Sequence, residues 1–153
     1  MTKEFNCTST GNPVIIHCAP MKDVQRLKQV IFNEVKKSPI GIKLVGGDKT
    51  LFEKELDFTG VIDFIKDTLI GIDTSEEFND AIFQCLSCCT YKKVYKIDEA
   101  LFDREDVPEA RQDYYEIIFA CVEENLRPFI LSLISTWKTH IKAGNFVQSL
   151  GIM

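Results

Sequence analysis

The chain has 153 residues, with 18 Lys and Arg against 23 Asp and Glu and a formal net charge of −5. That length suits a single domain, 1–153, whose core needs neither disulfides nor a metal to be stable. The 45% hydrophobic content is ordinary for a globular protein, and the acidic balance argues against a nucleic-acid binder, which carries a basic face.

No charged-then-apolar leader opens the sequence and no apolar run approaches the ~18 residues of a membrane span, so a cytoplasmic protein without membrane contact is expected. Its six cysteines read as reduced thiols used as small apolar residues.

Residues 1–12 are polar, with turn chemistry at Thr8, Ser9, Thr10, Gly11 and Asn12, and are expected to be flexible. Val14-Ile15-Ile16-His17-Cys18, between Pro13 and Pro20, reads as one strand. Val24, Leu27, Ile31 and Val35 recur at helical spacing and predict a helix over 21–37, stopped where Ser38 precedes Pro39.

Gly46-Gly47-Asp48, between Ile42–Val45 and Thr50–Phe52, has the look of a hairpin turn. A phosphate-binding loop would need a Gly-Lys-Ser/Thr ending, which is missing.

Val61, Ile62, Ile65 and Leu69 predict a second helix over about 58–70, capped by Asp57 or Thr59 and ended by Gly71. Thr74-Ser75-Glu76-Glu77 is a capping-box sequence that would open a third helix running to about Cys89, with Thr74 as the cap. Residues 90–105 read as a connector with one helical turn.

A fourth helix follows, with Asp106 as cap, Pro108 in the first turn and Glu109 completing a box-like arrangement. Pro128 should kink or break it, since proline removes a backbone donor and crowds the preceding turn. Phe129, Ile130, Leu133, Ile134, Trp137 and Ile141 then form a fifth helix or a bent continuation, and 145–153 form a loose tail. The expected architecture is mainly α, about five helices in a compact bundle with a small N-terminal β element, a strand or hairpin.

Cys85, Cys88 and Cys89 raise metal or thiol chemistry, the alternative function for this chain. No second ligand pair stands at zinc-site spacing, and Phe78, Ala81, Ile82, Cys85 and Cys89 share one helical stripe, so Cys85 and Cys89 read as core. His17 and Cys18 point to opposite strand faces and cannot pair as base and nucleophile. His140 suits the negative end of the last helix.

Asp103, Glu105, Asp106 and Glu109 lack calcium-loop spacing. Lys92, Lys93 and Lys96, interleaved with Tyr91 and Tyr95, could hold a single strand of nucleic acid, or form a solvated loop. No cofactor and no catalytic residue is predicted.

On the fourth helix Tyr114, Ile117, Ile118, Cys121 and Val122 make one stripe, and Tyr115, Phe119 and Leu126 widen the apolar arc beyond the ~100° that one core requires. The excess fits either a central helix or a docking face. Tyr115, Phe119, Leu126, Phe129, Leu133 and Trp137 are the candidate partner-binding residues, aromatic side chains being common anchors.

These segments, in the order Val14-Ile15-Ile16, Arg26–Ile31, Phe78–Tyr91, Leu101-Phe102-Asp103, Ala110–Tyr115 and Glu124–Phe129, resemble the tail assembly chaperones of long-tailed bacteriophages over roughly residues 14–135. The resemblance implies a non-enzymatic helical protein of the host-cell cytoplasm, absent from the mature virion. Several copies would coat the tape-measure protein, recruit tail-tube subunits and self-associate as a homo-oligomer. It carries over no catalytic residue or ligand.

Overall fold

A computed structural model describes residues 2–37 and 58–140, with side chains up to residue 136. The predicted hairpin around Gly46, the caps of the second helix at Asp57, the side chains of Trp137 and His140, and the tail 145–153 lie outside the described residues. The chain is mainly α with a small antiparallel sheet that begins at the N-terminus. Its contacts group into two units, Met1–Leu27 with Ser75–Asn125, and Lys28–Thr74 with Leu126–Met153.

In the first unit the sheet has the order β1 (Thr2–Asn6), β2 (Pro13–His17), β3 (Thr90–Tyr91), β4 (Tyr95–Lys96), every neighbour antiparallel. Residues 2–6, which sequence left without regular structure, pair from Thr2 opposite His17 to Asn6 opposite Pro13. Pairing with an apolar neighbour strand supplies what the polar β1 lacks by itself. Gly11, at φ 74°, turns the connecting loop, with its N–H donating to Cys7 O at 2.8 Å. β2 alternates as a strand with one buried face should, Val14 and Ile16 being fully buried.

The predicted connector 90–105 holds the hairpin β3–β4 and a 3-10 helix, Glu99–Asp103. The hairpin loop puts Lys92 and Lys93 at φ 55° and 64°, a left-handed region where glycine or asparagine is the usual signal. The loop is held by Lys92 N–H donating to Pro13 O at 2.8 Å and by Lys92 Nζ on Glu109 Oε1 at 2.9 Å.

Helix α1 (Met21–Lys37) occupies the predicted span; Asp23 in its first turn and Lys36 and Lys37 in its last suit the helix dipole. Helix α2 (Phe58–Ile72), in the second unit, runs through Gly71, so that glycine does not end it. Ile62, Ile65 and Leu69 form its buried stripe.

Helix α3 (Glu76–Leu86) is capped by Ser75, not Thr74: the Ser75 side chain accepts from Phe78 N–H at 3.3 Å. It ends before Cys89, and Phe78, Ala81, Ile82, Cys85 and Leu86 are its buried residues.

Asp106 does not cap the fourth helix. Its carboxylate is taken by Arg104, through Nε at 3.0 Å and a terminal nitrogen at 2.8 Å. Residues Pro108–Asp113 are 3-10, with proline in the first turn, and helix α4 (Tyr114–His140) starts six residues later than Pro108.

α4 continues past Pro128 without interruption, so the described residues hold four α-helices and not five. Proline at 128 has no N–H for the carbonyl of Glu124, four residues earlier. The Cys18 thiol, 3.8 Å from that oxygen, donates there instead. No helix among the described residues is long and apolar enough to cross a membrane.

Candidate docking face

Five aromatic rings of the first unit form a continuous row. Phe83 on α3 falls between the buried stripe positions Ile82 and Cys85 and the exposed Gln84, so its ring emerges half-buried. Phe102 follows the buried Leu101 on the first 3-10 helix, and its ring lies 6.1 Å from that of Phe83. Tyr114 meets Phe102 edge-on at 5.2 Å and Tyr115 at 5.1 Å, and Tyr115 meets Phe119 one helical turn on at 5.7 Å.

The near-perpendicular pairs match the preference of ring quadrupoles for edge-to-face contact. Tyr115 is 42% exposed, and the other four rings are half-buried. Rings held against one another in this way lose little side-chain freedom when a partner lands on them.

The structure thus brings Tyr115 and Phe119 together, and adds Phe83 and Phe102, which sequence reasoning missed because they come from other elements. Leu126 is fully buried, which corrects its assignment to a docking stripe: it fills the interior. Phe129 and Leu133, in the second unit, are half-buried, and Lys28 Nζ sits 5.1 Å over the Phe129 ring. Leu131 is exposed in the same stretch, at 49%.

Cys85 and Cys89 are buried, and Cys88 is exposed. Burial first, then neighbouring negative charge, pushes the Cys85 thiol from 9.0 up to about 12. Burial does the same for Cys89, against a weaker lowering by the hydrogen bond to the His17 carbonyl. Thiols held protonated in this way are poor nucleophiles. Among the described residues no group of three or more His, Cys, Asp or Glu side chains is placed to hold a metal.

His17 is exposed and shares a 3.0 Å hydrogen bond between Nδ1 and Thr2 Oγ1. The basic cluster does not form a single patch: Tyr91 is fully buried, Lys92 pairs with Glu109, and Lys93 reaches Glu4 at 3.8 Å. Asp103 pairs with Arg111 at 3.0 Å, as Asp106 does with Arg104, so these two carboxylates are held by local cations.

A second feature escaped the sequence reading. Asp113 is fully buried, and its Oδ2 accepts from Tyr91 OH at 2.5 Å and Thr10 Oγ1 at 2.6 Å, while Oδ1 has no hydrogen-bond partner. Asn12 Nδ2 donates to the Tyr91 oxygen at 2.9 Å. Beside it Thr8 N–H donates to both Glu116 oxygens, at 2.9 and 3.1 Å, and Ser9 Oγ to Gln112 Oε1 at 3.2 Å.

Burial, then the charges of Asp113 and Glu116, push the Cys7 thiol up to about 12. The network ties the β1–β2 loop to the start of α4. Its signal was present: Asp113 is in phase with Ala110, Ile117 and Cys121 on a buried stripe, where a lone carboxyl needs donors. Asn125 acts similarly, accepting from Ala19 N–H at 2.8 Å and donating to Cys121 O at 2.8 Å.

Comparison of the chain with models of known families, with curated proteins and with solved structures gives no match.

Proposed function

We propose that this chain is a non-enzymatic tail assembly chaperone, which holds a phage tape-measure protein through helical apolar faces during tail assembly and presents it to tail-tube subunits. The reading joins two independent supports. The order of short motifs from the Arg26 helix to Leu126-Arg127-Pro128-Phe129 carries the resemblance to that family.

The single structural observation behind a binding role is the row Phe83, Phe102, Tyr114, Tyr115, Phe119, in which apolar ring area is left part-exposed and mutually braced. A long helical client presents apolar stripes that aggregate unless covered, and ring faces are suited to cover them. The net charge of −5 keeps the covered complex soluble.

The test is co-expression of this chain with the tape-measure protein encoded in the same genome, scored by how much client remains in the supernatant after centrifugation. The intact chain holds the client in solution, and Tyr115→Ser with Phe119→Ser releases it to the pellet. A client that sediments equally with and without the chain refutes the reading.

A further inference from the structure

The aromatic row has margins, and helical periodicity sets their charge. Seven residues are close to two turns of 3.6, so Glu76 lies on nearly the same face of α3 as Phe83. In a 3-10 helix each residue eclipses its third neighbour, which stacks Glu99 with Phe102. Both carboxylates are exposed, and neither makes an ion pair among the described residues.

Arg111, a cation held against the Phe102 backbone, does not reverse this sign. Arg111 gives Nε to Phe102 O at 2.6 Å and a terminal nitrogen to Asp103 at 3.0 Å, so its charge is held against a carboxylate. At its Phe83 and Phe102 end the apolar row is therefore bordered by the carboxylates of Glu76 and Glu99. Its ring-to-ring steps of 6.1, 5.2, 5.1 and 5.7 Å are of the size of the 5.4 Å pitch of an α-helix, the spacing of side chains one turn apart on a docked helix.

We propose that the row takes a basic amphipathic helix, its leucine-type stripe on the rings and its Lys or Arg flanks toward Glu76 and Glu99. This rests on the reading of the row as the face that holds a helical client, and it adds which segments of that client are held. Apolar contact supplies most of the affinity, and the acidic border selects among apolar segments and speeds encounter.

Three fluorescent peptides of about 18 residues, five helical turns, share one leucine stripe and differ only in flanks of Lys, Gln or Glu. Their binding to the full chain is measured by anisotropy at about 50 and about 300 mM salt, on either side of a Debye length of roughly 10 Å. The Lys peptide binds about tenfold more tightly than the Glu peptide at low salt, and the gap narrows at high salt, as expected for exposed pairs that each contribute little.

Glu76→Lys with Glu99→Lys, both at exposed positions, inverts the order, and Tyr115→Ser weakens the Lys peptide about fivefold or more, a burial loss of the expected size. Equal binding of the three peptides, or an order that ignores the charge reversal, overturns the inference. A chain that keeps its client soluble through Tyr115 and Phe119 yet shows no preference among the peptides loses only this inference. A chain that leaves its client in the pellet loses the chaperone reading itself.

Discussion

Replacing Tyr91 by Phe removes one oxygen from the buried network around Asp113 and leaves the ring in place. The lost bond is the 2.5 Å contact to Asp113 Oδ2, and the Asn12 amide loses its acceptor at the same time. A hydroxyl-to-carboxyl bond in a dry site falls at the upper end of net hydrogen-bond values, about 1.5–3 kcal/mol. Of its two hydroxyl donors Asp113 then keeps Thr10 alone, and Oδ1 has no hydrogen-bond partner, so the penalty of an under-satisfied buried carboxyl is added. Tyr91→Phe is therefore expected to cost about 2–3 kcal/mol.

Asp113→Ala strands two hydroxyls but also removes a carboxyl with an orphaned oxygen, and these partly cancel to about 2–4 kcal/mol. The double variant isolates the contact, with a coupling of about 1.5–2 kcal/mol expected from residues that share a hydrogen bond. Urea unfolding followed by circular dichroism reads each as a midpoint shift of roughly 1 M, for a slope of about 1–3 kcal/mol per M. A coupling under about 0.5 kcal/mol, the level at which unrelated sites simply add, refutes the argument.

Alkaline pH should unfold the protein through its buried thiols. Cys7, Cys85 and Cys89 titrate at about 12 when folded against 9.0 for the free group, burial being the main cause. The folded state then binds more protons than the unfolded one above pH 9, so this stability is intact below pH 9 and is lost as pH rises toward 12. Each group contributes at most about 1.4 kcal/mol per pH unit, and a urea midpoint unchanged between pH 8 and pH 10 (about one unit to either side of the free thiol) would contradict it. Pro128→Ala restores a donor for the Glu124 carbonyl at an exposed helix position and is expected to stabilise by about 1–3 kcal/mol, raising the thermal midpoint; a lower midpoint would mean that the ring packs. Leu126→Ala should cost about 2–5 kcal/mol with little direct effect on a bound partner, while Tyr115→Ser should cost less stability than Leu126→Ala and weaken client binding. Denaturation curves and client retention on both variants check the pair, and the opposite pattern would exchange their roles.

Local periodicity alone was enough for much of the helical framework. Val24, Leu27 and Ile31 marked α1, Ile62, Ile65 and Leu69 marked α2, and Phe78 to Cys85 marked α3, since a stripe of 3.6-residue period has one way to bury itself. The same phase argument placed Cys85 in the interior and flagged the excess arc at Tyr115 and Phe119. Everything that depended on a distant partner was invisible in one dimension. The polar Thr2–Asn6 becomes a strand because β2 offers it a ladder, and Lys92 and Lys93 accept left-handed backbone because Pro13 and Glu109 hold the loop. Pro128 stays inside α4 as the carbonyl it orphans finds the Cys18 thiol, brought from more than a hundred residues away. Phe83 and Phe102 join the aromatic row, and Tyr91 and Thr10 reach Asp113, through tertiary packing alone: side-chain type and spacing state what a residue needs, and only the folded chain states what meets the need.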